Sequence, residues 1–189
     1  MTRSPRRSTS EPDSGSAADT DADPESAAKR VAQAQNVCLR LLTARARTRA
    51  ELTDRLTGRG YSGDVIATVL GRLERAGLLD DAEFAREWVR SRQEFAGKGK
   101  RALAVELRNK GVDAEIIAEA LAGIDADTER RRAEELVAAR LRRERLADGD
   151  EMKITRRLVG MLARRGYSSA MAFDVVSVAL AGERERRRV

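Results

Sequence analysis

Seven basic side chains, Arg90, Arg92, Lys98, Lys100, Arg101, Arg108 and Lys110, fall within 21 residues around the turn Gly97-Lys98-Gly99. That density could neutralise several phosphates or pair with an acidic groove, because the planar guanidinium fork makes bidentate contacts with phosphate and carboxylate alike. On helical spacing grounds, about half of the seven are expected to be intrahelical partners of Glu83, Glu87, Glu94 and Glu106. The glycine step beside these lysines is not a nucleotide loop: no strand precedes it, and the spacing of a phosphate-binding loop is missing.

Other chemistry is narrowed by composition. The chain has no histidine and one cysteine, so imidazole zinc ligands, a catalytic triad and an internal disulfide are ruled out. Cys38 precedes Leu39, Leu41 and Leu42 in a helical pattern and reads as a small buried hydrophobe, consistent with a reduced, cytoplasmic setting. Asp80 and Asp81 sit where a helix should start, which suits capping and the helix dipole better than a metal or an acid/base pair. No catalytic residue, metal or cofactor is indicated. The segments are too polar for a membrane span, and the N-terminus lacks the apolar core of an export signal.

The elements that carry these residues recur three times. Leu52, Leu56 and Gly60 are followed by Leu103, Leu107 and Gly111, then by Leu158, Leu162 and Gly166. A basic residue precedes each glycine (Arg59, Lys110, Arg165), and apolar pairs follow: Val65 with Ile66, Ile116 with Ile117, and Val175 with Val176. Leucines four apart share one helix face, and glycine after the last turn supplies a left-handed closing residue. The glycines are 51 and 55 residues apart, which leaves room for one more helix in each interval. The predicted fold is therefore all-α: three tandem three-helix repeats of helix-turn-helix type in an elongated, curved array. With aromatics at 3%, each core must be a thin aliphatic stripe.

Residues 1–28 hold all three prolines and a net charge of −3, and are expected to be a disordered tail, leaving about +9 on the rest. Repeat 1 is assigned to residues 29–79, with Thr48 and Glu51 forming a capping box and Ser62 capping the third helix. Repeat 2 covers 80–124. Repeat 3 covers 125–182, opening with a charged helix from Glu129 to Leu146 that breaks at Gly149. Residues 183–189 are expected to be a frayed, charged tail. Phe84 and Trp88 should pin the first helix of repeat 2 to its own core, while Tyr61 and Tyr167 pack against caps with hydroxyls in solvent.

From Leu79-Asp80-Asp81 through Phe84-Ala85, Trp88-Val89-Arg90-Ser91-Arg92, Gly97-Lys98-Gly99-Lys100-Arg101 and Glu106-Leu107 to Lys110-Gly111-Val112, the chain resembles the RecX family of recombination regulators. The likeness extends from about Val37 to Leu180. It departs from the family pattern in the acidic N-terminal extension and in Gly-Lys-Gly-Lys where a Gly-Pro pair is common. The resemblance implies three three-helix repeats and a non-enzymatic inhibitor of the RecA recombinase. Such a protein binds the RecA filament on single-stranded DNA and damps ATP hydrolysis, strand exchange, coprotease function and the damage response. An elongated monomer is expected, its basic residues meeting an acidic RecA surface and also DNA phosphates. The rival readings are a DNA-binding regulator, with Asp64 to Leu79 leading into a winged helix, and a purely structural helical scaffold. A winged helix requires a β-hairpin next, where the sequence shows another amphipathic helix.

Overall fold

The computed structural model describes residues 24–143 and 151–188. Among them the protein is all-helical, with α1 (Pro24–Ala44), α2 (Arg49–Thr57), α3 (Gly63–Arg75), α4 (Asp81–Ala96), α5 (Lys100–Asn109), α6 (Ala114–Ala122), α7 (Ala126–Leu141), α8 (Glu151–Arg164) and α9 (Ser169–Arg188). The described chain after α3 enters α4 directly and carries no hairpin, so the winged-helix topology does not form.

Three separate cores follow the chain order. Ala34, Cys38, Leu52, Leu56, Val69, Leu70 and Leu73 build the first. Phe84, Val89, Leu103, Leu107, Ile117 and Leu121 build the second. Val137, Ile154, Leu158, Leu162, Val175 and Val176 build the third. In each repeat the last helix packs against both others, α3 on α1 and α2, α6 on α4 and α5, and α9 on α7 and α8. The leucine pairs that mark the repeat are fully buried in all three copies.

Helix ends follow local chemistry. Thr48 accepts the Glu51 N–H at 3.2 Å, Asp80 that of Glu83 at 2.9 Å and Asp125 that of Thr128 at 2.7 Å. Ser62 stands at the N-cap of α3 with no side-chain cap bond. Cys38 is fully buried, and burial raises its thiol pKa.

Three boundaries differ from expectation. Helix α1 starts at Pro24 rather than Lys29, because proline has its φ pre-set for the first helical position and lacks only an N–H that would go unpaired. Glu25 in that first turn pairs with Lys29 at 2.8 Å. Helix α7 opens at Ala126, one turn early behind the Asp125 cap, and ends at Leu141; Leu146 and Gly149 lie outside the described residues. The charged run after Gly182 continues α9 to Arg188, held by Glu183–Arg186 at 2.9 Å and by Arg184 reaching Glu151 of α8.

The repeats join by one recurring contact. The turn glycine of each later repeat lies against the first turn of the preceding repeat's middle helix: a Cβ added to Gly111 would overlap Ala50, and one added to Gly166 would overlap Ala102. Both glycines have positive φ, as does Gly60, but around Gly60 the space is open. Alanine at Gly60 therefore meets only backbone strain of about 1–2 kcal/mol. At Gly111 or Gly166 it should add an overpacking cost of about 1–3 kcal/mol. Urea denaturation of the three single variants should rank Gly60→Ala as the most stable; equal losses at all three would show that the joints do not bear on stability.

Candidate functional site

The basic cluster of repeat 2 is organised by Trp88. Helix α4 places Phe84 one turn before it, with the two rings stacked at 5.7 Å between centroids, and Arg92 one turn after it, its guanidinium 4.3 Å from the indole centroid. Trp88 Nε1 donates to Glu106 Oε2 of α5 at 3.0 Å. The same carboxylate pairs with Lys98 at 3.1 Å and Arg92 at 3.4 Å. Lys110 Nζ lies 5.1 Å from the indole centroid and 2.6 Å from Glu51 of α2, which also pairs with Arg45 at 3.2 Å. One network thus runs from repeat 1 into repeat 2. It sets Arg45, Arg92, Lys98 and Lys110 against Glu51 and Glu106, leaving an excess of positive charge around a half-buried indole. At Glu51 burial pushes the carboxyl pKa up, but the hydrogen bonds and charges of Lys110 and Arg45 outweigh it and hold the group below its ordinary value.

The seven sequence-derived residues divide into two sets. Lys98, Lys100 and Lys110 are half-buried and tied into the fold, Lys100 through a 3.2 Å bond from Nζ to the Ile124 carbonyl. Arg92 is partly exposed but committed to Trp88 and Glu106. Arg90, Arg101 and Arg108 are exposed. Arg90 pairs with Glu87 on its own helix, and Arg108 Nε donates to the Ala104 carbonyl at 3.1 Å. Of the four expected acidic partners, Glu87 and Glu106 bind members of the cluster, whereas Glu83 binds Arg86.

The glycine turn is buried against repeat 3. Gly97 and Gly99 are buried, and a Cβ at Gly97 would meet the Leu136 side chain. The Gly99 N–H donates to the Arg165 carbonyl at 2.8 Å, and Lys100 N–H donates to Glu129 Oε1 at 2.8 Å. Tyr167, expected to reach solvent, is 3% exposed and donates its hydroxyl to the Gly97 carbonyl at 3.3 Å. Burial there pushes its pKa up to about 12. The turn is the seat of repeat 3.

The joint between repeats 1 and 2 uses the same logic. Fully buried Thr48 donates from Oγ1 to the Lys110 carbonyl at 2.6 Å, and Asp81 accepts the Arg49 N–H at 2.8 Å. A carboxylate from the next repeat therefore caps the first turn of the middle helix at both joints, Asp81 on α2 and Glu129 on α5. Asp80 caps its own helix, so both acids serve helix ends. Glu129 and Tyr167 carried no sequence signal for these roles beyond their place in a helix start and beside a turn glycine. Among the described residues no group of three or more histidine, cysteine or acidic side chains is placed to hold a metal ion. Nor is any described helix long and apolar enough to cross a membrane.

Family models described as "RecX, first three-helix domain" and "RecX, second three-helix domain" match residues 34–73 and 80–121. A regulatory protein RecX from Mycolicibacterium smegmatis is 62% identical over 192 residues, covering 100% of both chains. The chain belongs to the RecX family. A RecX regulatory protein from Mycobacterium avium is 64% identical over 157 residues, 83% of this chain and 90% of the relative. The all-helical repeat fold is shared with the crystal structure of RecX from Lactobacillus salivarius, at TM-score 0.65 and 23% identity over 79% of this chain and 96% of that one. A second crystal structure of a regulatory protein RecX has TM-score 0.61 and 24% identity, covering 77% of this chain and 70% of that one. The Trp88 network thus belongs to a RecX regulatory protein, and its cations span the first two repeats.

Trp88 is the sole tryptophan, so its emission reports on the joint between repeats 1 and 2. Because the Glu51 pKa is depressed in the folded state, its stabilising contribution is present at neutral pH and is lost as pH falls through the folded value. Followed by Trp88 emission, Glu51→Gln should be less stable at pH 7 by about 1 kcal/mol and should lose less stability than the parent on acidification below pH 5. Parallel acid limbs would separate the Lys110–Glu51 pair from joint stability.

Proposed function

We propose that this RecX regulatory protein is a non-enzymatic negative regulator of RecA. It binds the RecA filament on single-stranded DNA and inhibits filament growth, ATP hydrolysis, strand exchange and coprotease activity. The observation that carries the reading is the full-length likeness to regulatory RecX proteins, and the sequence resemblance implies RecA as the regulated protein. The geometry is compatible: three linked repeats present a row of helix faces, and Arg90, Arg101 and Arg108 stand in solvent beside the positively charged Trp88 network. These arginines would meet acidic RecA surface and DNA phosphates in the filament groove, where an inserted rigid array hinders the subunit motions tied to ATP turnover. The exposed Arg90–Glu87 pair holds Arg90 only weakly, so the guanidinium is open to exchange partners. The protein would act in the cytoplasm as a monomer, and would need neither cofactor nor metal.

The deciding experiment is the steady-state ATPase of RecA on single-stranded DNA while this protein is titrated. Inhibition well below one copy per RecA subunit is expected. Unchanged ATPase together with tight binding to DNA alone would replace the proposal with a DNA-binding regulator. The triple variant Arg90→Ala, Arg101→Ala and Arg108→Ala should weaken inhibition about tenfold or more with Trp88 emission preserved, whereas full inhibition by it would move the contact elsewhere.

Deletion of residues 1–23, which precede α1 and carry more acids than bases, should leave inhibition within about twofold of the full chain, since their charge has the wrong sign for a polyanionic partner. Loss of inhibition on truncation would assign that segment a part in binding.

A further inference from the structure

A second concentration of cations lies in repeat 3, where none of the seven sequence-derived residues falls. Helices α7 and α8, with the residues just after them, border a cleft of about 470 Å³ lined by Arg140, Arg143, Arg157, Arg164 and Arg165, and no acidic residue is among the described residues of its wall. Leu158 and Met161 supply an apolar floor. Arg140 and Arg157 also make other contacts, so the site rests on Arg143, Arg164 and Arg165. Among the described residues no carboxylate pairs with these three, although carboxylates pair with many other arginines of the protein. Arg165 Nε is buried without a hydrogen-bond partner. A buried charged donor of this kind takes a water or an anion as its partner, as Arg47 Nε of repeat 1 must also do.

We propose that this cleft is a phosphate-binding site for a single nucleic-acid strand. Its volume lies in the range of small-molecule sites, room for one or two nucleotides and too little for a duplex. A nucleic-acid strand brings one charge with every nucleotide and a flat base for the apolar floor. A peptide would need acidic side chains at nearly every position to answer the same guanidiniums. Arginine forks are suited to phosphate oxygens, and Arg143, Arg164 and Arg165 stand at and just beyond the ends of the two helices. The site deepens the proposed regulatory role by giving repeat 3 its own hold on the filament's DNA strand, and only that setting rests on the RecA reading; binding to the strand does not.

The test is fluorescence anisotropy of a labelled oligothymidylate titrated with the full chain between 50 and 200 mM salt, without RecA. Replacing Arg143 and Arg164 with alanine should weaken binding at least tenfold. It should also flatten the slope of log affinity against log salt by about 1.4, the loss of two single-strand phosphate contacts. Arg143→Lys with Arg164→Lys, which keeps the charge and spares the fold, should retain the slope while losing affinity. Unchanged affinity and slope in the alanine variant would overturn the site. Polyglutamate displacing the strand at equal charge concentration would overturn it in favour of an acidic protein surface. If the strand binds as expected while RecA ATPase is unaffected, the regulatory reading fails and the site stands.

Discussion

Everything in this molecule depends on close approach between a turn and a helix start. A repeat of three short helices buries little apolar surface by itself, so each must lean on its neighbour. The contact that permits this is backbone against methyl: Gly111 on Ala50, and Gly166 on Ala102. With no side chain at the turn, its preceding carbonyl comes within reach of a donor, the Thr48 hydroxyl at one joint and the Gly99 N–H at the other. The carboxylates of Asp81 and Glu129 then cover the helix N–H groups that such an approach would otherwise strand. Small residues, one backbone acceptor and one borrowed acid recur at both joints, although their sequences differ.

The middle helices of the three repeats do not all start alike. Helices α2 and α5 begin within a turn of Leu52 and Leu103, but α8 begins at Glu151, well ahead of Leu158. At the opposite end the Gly60 turn faces open space, and its carbonyl accepts from Arg30 of α1. The two termini of the array are thus unlike each other.

Charge is partitioned by these joints. Lys98, Lys100 and Lys110 sit on or beside the contact surfaces, and their charges go into Glu106, Glu51 and a backbone carbonyl. Placed there, a lysine stiffens the link between repeats and brings less to an outside partner. Arg90, Arg101 and Arg108 are exposed, and Arg90 and Arg108 have partners only on their own helices, Glu87 and the Ala104 carbonyl. The α7/α8 cleft gathers arginines of one repeat, and no acidic residue is among the described residues of its wall.

Much of the fold was legible in the chain alone, because its signals are local. Leucine spacing, turn glycines and caps such as Thr48, Asp80 and Asp125 act within a few residues, and they determined the helices, the threefold repeat and the basic character of the array. The arginines of repeat 3 drew no attention in the chain alone, because only packing brings Arg140 and Arg143 to the same cleft as Arg157 and Arg164. Tertiary structure likewise decided that Tyr167 is buried on Gly97, that the glycine turn is a seat rather than a loop, and which cations are committed to the fold. These outcomes depend on partners from other repeats. Whether a charge is solvated or paired is set by desolvation and by geometry across the joint, and neither is written in the residue's own neighbourhood of the chain.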